Sequence, residues 1–510
     1  RGESASVSAL RRLPDGSTAF ECSRPESPDR PEPLFESAAP TRVLESRSSR
    51  VTIAVFDLPS KGFNDPTPAA PVGGNTGTTL GQQRLNAVRF AADIWAAALD
   101  SPVEIRIGVG FISTNCTPDF TILGAAQIPE GFLDFPGAEF TGTWYPAALA
   151  NRRAGRDLHP DDGTLASQEI AIGYNDLGRP ACTEPVTWYY GLDGEHGDKI
   201  DLVRLTLHEI GHGLGFAPYA SPFTGAEFQG HPDVFERRVL DEATGKHWHE
   251  MTDAERAASA TNAPNVVWDG PAVTAAAPAV LRRGVPVLAA AGVLSGDREA
   301  GPADFGPAPT AAGISGPLAA ASADGCSPLA NGSELAGKVA FADLARLPCL
   351  WITQAFNFQK AGAIAVLLAD YQDSGLPQRV TIVSEDPGVA VPTASITKAD
   401  GASLRAALAS RAVTVSLRTD FSRFEGVSAS GRVRLYAPRL FDGSAIGHFD
   451  FNAQPPLLMN PFQGEPGETQ SLDLTPAALR DIGWYPDSAA AAPRSPLRRP
   501  RGTRVEPQRK

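Results

Sequence analysis

The stretch from Leu202 to Phe216 reads LVRLTLHEIGHGLGF and combines an apolar helical pattern with three reactive side chains. Asp201 stands directly before it, where a helix takes an N-cap residue, and leucines such as Leu205 supply an apolar side. His208 and His212 are four residues apart, so a helix turns both imidazoles to one face. The stretch therefore predicts a helix with two ligands for a single metal ion.

Glu209 follows the first histidine, at a position from which a carboxylate reaches a metal-bound water without binding the metal itself. Zinc lowers the pKa of such a water to about 7, and a glutamate can take its proton as the water attacks a carbonyl. The same carboxyl group can then hand the proton to the leaving amine. The pattern predicts one catalytic Zn²⁺ and peptide-bond hydrolysis, with Glu209 as the catalytic base.

A third ligand must come from elsewhere, because a catalytic zinc normally has three protein ligands and an open position. In the compact pattern H-E-x-x-H-x-x-G-x-x-H, Gly215 fits, but Pro218 stands where the last histidine belongs, and proline cannot ligate. His448 has the best context, since Met459 follows it closely and metzincins place a Met-containing turn beneath the metal. The alternatives that stay open are His231, His247, His249 and a carboxylate such as Glu236.

Composition limits the class of protein. The 510 residues, 42% of them hydrophobic and 20% charged, suffice for two or three globular domains. A balance of 45 basic against 58 acidic residues, net charge -13, argues against a general nucleic-acid binder. No apolar run approaches the roughly 18 residues that a membrane-spanning helix needs.

Hydrophobic periodicity predicts an α+β fold with two cores. Three- and four-residue spacing predicts an amphipathic helix over residues 82–99, and alternation over 103–109 predicts a half-buried strand. Further along, strands at 339–341 and 364–368 alternate with helices at 354–361 and 404–408. Strand, helix and strand at this spacing indicate a small α/β unit with its own core.

The motifs around the histidines resemble those of the leishmanolysin-type metzincins. The resemblance lies in HEIGHGLGF at 208–216, a long insertion, the segment around His448, the Leu458-Met459 pair and LRDIGWY at 479–485. That family also separates its second and third zinc histidines by an inserted segment. The resemblance implies a metzincin-like peptidase domain, with His208, His212 and His448 as zinc ligands, Glu209 as base and Met459 in the turn.

The insertion has a resemblance of its own. The segments CSPL at 326–329, GKVAFAD at 337–343, AGAIAV at 361–366 and VPTASI at 391–396 are similar to those of a protease-associated (PA) domain. Such domains are non-catalytic, and in several peptidase classes they cover the active site or recruit substrates and partners. The resemblance implies that protein or peptide substrates are the partners of this chain.

The expected organisation is a peptidase domain split by the PA domain. Residues 1–60 are a leader or the remnant of a pro-segment, and residues 488–510 form a basic, Pro- and Arg-rich tail that we expect to be disordered. Residues 61–270 carry the active-site helix, 271–425 form the PA domain, and 426–487 bring the third ligand and the Met-turn.

The five cysteines include no Cys-x-x-Cys pair, which disfavours a thiolate zinc site. We expect disulfides Cys116–Cys182 and Cys326–Cys349, leaving Cys22 over, in a protein that is secreted or held in the cell envelope. The predicted function is a secreted zinc endopeptidase. The alternative is a degenerate peptidase scaffold that acts as a binding protein through its PA domain.

Overall fold

A computed structural model gives the fold of the chain. It describes residues 5–12, 18–22, 35, 39–45, 50–112, 116–117, 120–176, 187–327, 329–346, 349–381, 386–439, 444–463 and 467–485. The predicted tail at 488–510 and Cys182 lie outside these described residues. None of the helices in the described ranges has the length and apolar character that crossing a bilayer requires.

Two eight-stranded sheets dominate the described residues, and each has its own strands and helices. The first sheet comprises β1 (Ala5–Arg12), β2 (Thr18–Cys22), β3 (Arg42–Glu45), β4 (Val51–Val55), β5 (Ile105–Ile112), β6 (Cys116–Thr117), β7 (Phe120–Gln127) and β10 (Ile170–Asn175). Their order is β2-β1-β7-β10-β5-β4-β3, with β6 paired to β7. Strands β4, β5 and β10 are parallel, whereas β7 is antiparallel to β10.

Short strands and helices surround this sheet. The strands are β8 (Gly131–Phe132), β9 (Tyr145–Pro146), β11 (Trp188–Tyr189), β12 (Ile200–Asp201), β13 (Val239–Asp241), β14 (Lys246–His247) and β15 (Val266–Trp268). The helices are α1 (Leu80–Ala98), α2 (Ala147–Ala154), α3 (Leu202–Gly213), α4 (Asp253–Ser259), α5 (Pro271–Val280) and α8 (Thr475–Asp481).

Helix α1 agrees with the predicted helix at 82–99. The Thr79 side chain accepts a hydrogen bond from the backbone N–H of Gln82, so the first turn has a polar cap. The apolar side of the helix, including Leu85, Val88 and Trp95, is buried in the main core. Trp95 also donates its indole N–H to the carbonyl of Leu207 at 2.9 Å, which fastens α1 to α3.

Strand β5 differs from its prediction as a half-buried strand, because both of its faces are covered. Arg106, expected on the solvent side, is 7% exposed and pairs with Glu169 at 2.6 Å. Gly108 is buried on the same side, where a Cβ would lie 3.0 Å from Leu165 and Phe56. Alternation of apolar and polar residues normally indicates that one face of a strand contacts solvent. In β5 a buried ion pair and a glycine occupy that face instead.

The second sheet lies within Arg283–Phe424, which we call the inserted domain. Its strands are β16 (Arg283–Ala289), β17 (Arg298–Glu299), β18 (Gly301–Pro302), β19 (Ile314–Ala320), β20 (Val339–Asp343), β21 (Ala365–Ala369), β22 (Thr393–Ile396) and β23 (Thr414–Phe424), in the order β17-β16-β23-β19-β20-β21-β22-β18. Helices α6 (Trp351–Lys360) and α7 (Lys398–Leu408) join its strands. The predicted strand–helix–strand unit is present here.

The two ends of the inserted domain lie side by side. Arg283 at the start of β16 faces Phe424 at the end of β23, and the N–H of Glu425 donates to the carbonyl of Arg282 at 3.0 Å. On both sides of this junction the chain belongs to one hydrophobic core, which takes in residues from Val51 to Leu281 and from Val427 to Trp484. The fold is therefore a mixed α+β domain interrupted by a separately packed α/β insertion.

Of the two predicted disulfides, Cys326–Cys349 is present, which confirms that pairing. It closes a loop with a sequence separation of 23 at the edge of the core around α6. The other predicted bond, Cys116–Cys182, is not tested, because Cys182 lies outside the described residues.

Replacing both Cys326 and Cys349 by serine should lower the free energy of unfolding of the inserted domain by roughly 3 kcal/mol, since the unfolded loop regains its freedom. Urea denaturation followed by far-UV circular dichroism would measure the loss. Reduction of the unmodified protein should reproduce the shift in this domain. Coincident denaturation curves for the double variant and the unmodified chain would contradict the expectation.

Candidate metal centre

Helix α3 carries the first two histidines and is buried along its whole length. Asp201 caps it, with a carboxylate oxygen accepting the N–H of Val203 at 2.9 Å, and the Gln470 side chain holds the other oxygen at 2.8 Å. All twelve residues of the helix are buried, including His208, Glu209 and His212. The helix contacts α1, β7 and β10, so the first sheet and α1 fix its position.

The structure brings His448 to the same place. The candidate ligand atoms of His208, His212 and His448 all lie within 4.8 Å of one another. Their ring centroids are 4.6, 4.9 and 5.4 Å apart, and each residue is at most 2% exposed. Among the described residues, no other group of three His, Cys, Asp or Glu side chains is placed closely enough to hold a metal ion.

A backbone carbonyl orients each imidazole. Nδ1 of His208 lies 2.6 Å from the carbonyl of Leu458, and Nδ1 of His212 lies 2.8 Å from that of Phe216. Nδ1 of His448 lies 2.8 Å from the carbonyl of Ser444. A carbonyl oxygen only accepts, so each Nδ1 carries the hydrogen. Each Nε2 then keeps its lone pair, the state in which histidine binds a metal.

Burial favours the neutral form of all three rings. It lowers the pKa of His212 to about 4. It lowers the pKa of His208 and His448 well below the usual value, and the neighbouring histidines add to the effect. At neutral pH the rings therefore need lose no proton before they bind a cation. Nε2 of His448 is buried and lacks a hydrogen-bond partner within the described part of the chain, as expected for an atom that binds a cation.

Glu209 lies between the two helix histidines in sequence and beneath strand β7 in space. It is fully buried, and a Cβ built on Gly124 of β7 would lie 3.5 Å from its Oε1. Gly124 faces Leu205 and Glu209, so the absence of a side chain there leaves room beside the carboxylate. The Glu209 carboxylate therefore lies between helix α3 and strand β7.

Met459 packs under the helix between its two histidines. It is fully buried, and its Sδ would lie 2.7 Å from a Cβ on Gly211. The preceding residue, Leu458, supplies the carbonyl that orients His208, and Asp473 accepts the N–H of Leu458. The turn around Met459 thus supports α3 and one candidate ligand together.

The alternative ligands lie in other surroundings. His247 pairs with Asp269 at 2.9 Å and with Glu250 at 3.4 Å, and the buried Glu236 interacts with Asp233. His231 lies near Gly142, and burial lowers the pKa of His249 to about 4. The structure does not group any of these four side chains with His208 and His212.

Pro218 stands where the compact motif has its third histidine. It lies next to the chain segment that carries His448. Its Cδ is 3.7 Å from the position of a Cβ on Gly447. The segment that carries His448 therefore passes close to the residue that interrupts the compact pattern.

Sequence reasoning missed Arg204, which lies one helical turn before His208 and is 2% exposed. Its guanidinium bonds to the carbonyl of Leu457 at 2.9 Å, to Gln463 at 3.1 Å and to Glu468 at 3.0 Å. It therefore joins α3 to the segment that holds Met459. An arginine among the apolar residues of the first turns of the helix was the available signal, since a buried charge needs partners.

Comparisons with known proteins bear mainly on the insertion. Residues 314–404 match the family model of the PA domain. A search of curated proteins finds no match. The chain therefore contains a PA domain inside its mixed α+β fold, as the resemblance implied.

Solved structures overlap with a limited part of the chain. A zinc aminopeptidase from Bacillus subtilis matches at 21% identity and TM-score 0.22, over 28% of this chain and 31% of that one. An aminopeptidase from Aneurinibacillus sp. matches at 18% identity and TM-score 0.21, over 28% and 31%. A subtilisin-like protease from Pseudoalteromonas sp. matches at 18% and 0.22, over 28% and 34%.

The matched part spans about a third of the length of these structures. Similarity at this level carries no argument about the metal centre or its chemistry. The resemblance of the surrounding domain to leishmanolysin-type peptidases gains no support from these matches.

Replacing Arg204 by methionine should lower the free energy of unfolding by roughly 3 kcal/mol, because Glu468 would stay buried without its cation. Guanidinium denaturation followed by tryptophan fluorescence would measure the change. The matched control is Arg439→Met, whose half-exposed pair with Asp373 should cost less than about 1 kcal/mol. Equal losses in the two variants would show that the Arg204 contacts do not hold the helix.

Proposed function

We propose that this protein is a secreted zinc endopeptidase of the leishmanolysin-like type, with one Zn²⁺ bound by His208, His212 and His448. The observation that carries the proposal is the convergence of three buried imidazoles, each with Nδ1 fixed by a carbonyl. Three histidines and one open position are a ligand set typical of catalytic zinc.

The donor set fits zinc better than a harder cation. The three candidate ligands are neutral nitrogen donors, whereas Mg²⁺ and Ca²⁺ prefer carboxylate and carbonyl oxygens. Each imidazole also makes the second hydrogen bond that normally accompanies zinc ligation. When bound, zinc polarises the scissile carbonyl and makes water acidic enough to attack it at neutral pH.

Glu209 supplies the proton transfers in this proposal. Its carboxylate takes a proton from the attacking water and delivers it to the nitrogen of the leaving amine, so that the peptide C–N bond breaks. The burial of Glu209 beneath β7 excludes bulk water from competing for that proton. The Met459 turn and the Arg204 contacts hold helix α3, which carries the base, in a fixed position against the segment around Met459.

The PA domain and the disulfide support the remaining parts of the proposal. The Cys326–Cys349 bond is typical of a protein that works outside the reducing cytosol, which favours secretion or the cell envelope. The PA domain suits recruitment of a protein or peptide substrate. An internal cut in a folded or denatured protein would support an endopeptidase, whereas stepwise loss of N-terminal residues would identify an aminopeptidase.

Replacing Glu209 by glutamine should reduce kcat for peptide hydrolysis by about 10²–10⁴-fold, because the amide cannot accept the proton. Bound zinc, measured by atomic absorption, should stay at the level of the unmodified protein. The exposed Glu195→Gln is the matched control and should keep full activity. An active Glu209→Gln enzyme would exclude the mechanism, and an unmodified chain without chelator-sensitive proteolysis would favour a binding protein.

Replacing His448 by alanine should reduce bound zinc well below stoichiometric, because two imidazoles alone hold the ion weakly. Metal content after dialysis against a weak chelator measures the effect. His247→Ala removes an alternative ligand and serves as the control, for which we expect unchanged zinc. Full occupancy in the His448→Ala protein would exclude this residue as the third ligand.

A further inference from the structure

A largely buried ion pair joins the inserted domain to the chain segment that carries His448. Arg434 lies just after the inserted domain and is 5% exposed. Its Nη1 and Nη2 atoms each lie 2.9 Å from an oxygen of Glu299, so the pair has a forked geometry. Glu299 ends strand β17 of the inserted domain and also accepts from Arg423 at 2.6 Å. We call Glu299, Arg423 and Arg434 the junction cluster.

The backbone around Arg434 lies against the segment that holds His448. The carbonyl of Arg434 accepts the N–H of Asp450 at 2.9 Å, and the N–H of Tyr436 donates to the carbonyl of His448 at 2.9 Å. Leu435 forms a bridge with Phe449 between these two bonds. Any shift of the Arg434 backbone therefore moves the two peptide units that flank Phe449, the first of which contains the carbonyl of His448.

The other side of Arg434 is fixed to the main domain. Arg434 forms a bridge with Val267 of β15, and its N–H donates to the carbonyl of Gly426 at 2.8 Å. The residue thus lies between β15 and the His448 segment, with its side chain directed to the inserted domain. Backbone bonds set its register, and Glu299 sets the position of its charge.

Opposite charges stabilise the contact between Glu299 and Arg434. Burial acts to raise the pKa of Glu299, but Arg434 and Arg423 outweigh it and hold that pKa below the usual value. Glu299 is therefore ionised at neutral pH, opposite a guanidinium that is itself buried. Loss of the carboxylate would remove the closest counter-charge of a buried guanidinium, which favours movement of the Arg434 side chain, and of the backbone attached to it, toward water.

We propose that Glu299 of the inserted domain is a positioning residue for His448, acting through Arg434 on the backbone that carries this histidine. The inference rests on the proposed function, in which His448 is the third zinc ligand. The inserted domain then supports the metal centre through Arg434, although it supplies none of the three histidines. A change in the inserted domain at β17 is transmitted to the zinc site through two side chains and two backbone hydrogen bonds.

The test compares Glu299→Gln with Asp373→Asn in the full chain. Asp373 also lies in the inserted domain and pairs with Arg439 beyond its end, at 2.7 Å, but both side chains are about half exposed. Zinc affinity is measured by competition with a chromophoric chelator, and ligand geometry by the visible spectrum of the Co²⁺-substituted protein. Loss of a supporting interaction should weaken zinc binding by about 10–100-fold in Glu299→Gln and change the Co²⁺ spectrum. Asp373→Asn should match the unmodified protein.

Two further variants separate positioning from general loss of stability. The Cys326→Ser, Cys349→Ser double variant destabilises the inserted domain without touching the junction cluster, and its Co²⁺ spectrum should stay unchanged. Glu299→Asp keeps the charge and should recover part of the zinc affinity, and it provides the comparison if Glu299→Gln does not fold.

Wild-type zinc affinity and spectrum in Glu299→Gln would overturn the positioning role, as would an equal effect in Asp373→Asn. These results would leave the proposed function intact, since the unmodified protein would still bind zinc. Failure of the unmodified protein to bind zinc would instead overturn the proposed function itself.

Discussion

The three hydrogen bonds from imidazole Nδ1 to backbone carbonyls are the constraint on which the site depends. They fix the tautomer and the rotation of every ring, and so they direct three lone pairs into one buried space. Nε2 of His448 is buried and has no hydrogen-bond partner within the described residues, and such an atom is unfavourable inside a protein by about 1–3 kcal/mol. The arrangement is stable in the folded chain because the surrounding core holds the carbonyls, and a cation would remove the remaining cost.

The need to hold those carbonyls explains why α3 is buried on all sides. Carbonyls from both sides of the insertion take part: Phe216 follows the helix directly, whereas Ser444 and Leu458 come after the inserted domain. The later segment must therefore pack against the helix before the site exists. Arg204 provides polar contacts between the two parts, and Trp484 adds another by donating to the carbonyl of Leu214 at 2.8 Å.

Much of this arrangement could be predicted from local sequence patterns. The helix with its two histidines follows from the Asp201 cap, the leucines and the four-residue spacing, and the main elements of the inserted domain follow from apolar runs. His448 was selected through its context with Met459, and the structure places it beside the other two histidines. Its role as a ligand stays a prediction.

Features that depend on distant partners could not be read from the sequence. Arg106 was expected in solvent because the residue that neutralises it, Glu169, lies far away in sequence, directly before strand β10. Arg204 has partners more than two hundred positions away, and Glu299 meets Arg434 only because the chain returns to its starting point. Hydrophobic periodicity records which side of an element is covered by apolar groups, and it does not distinguish solvent from a buried counterion.

The geometry of the junction explains how a whole domain can stand between the second and third histidines. Since Arg283 and Phe424 are paired neighbours, the chain leaves the main domain and re-enters it at nearly the same point. An insertion with adjacent ends leaves the elements on either side in place, just as a short loop would. The junction cluster adds a connection that a mere loop would lack, because Glu299 reaches back to a residue beyond the point of re-entry. The adjacent ends explain why the main domain keeps its fold despite the insertion. The Glu299–Arg434 pair in turn makes the position of the segment that carries His448 depend on the position of the inserted domain.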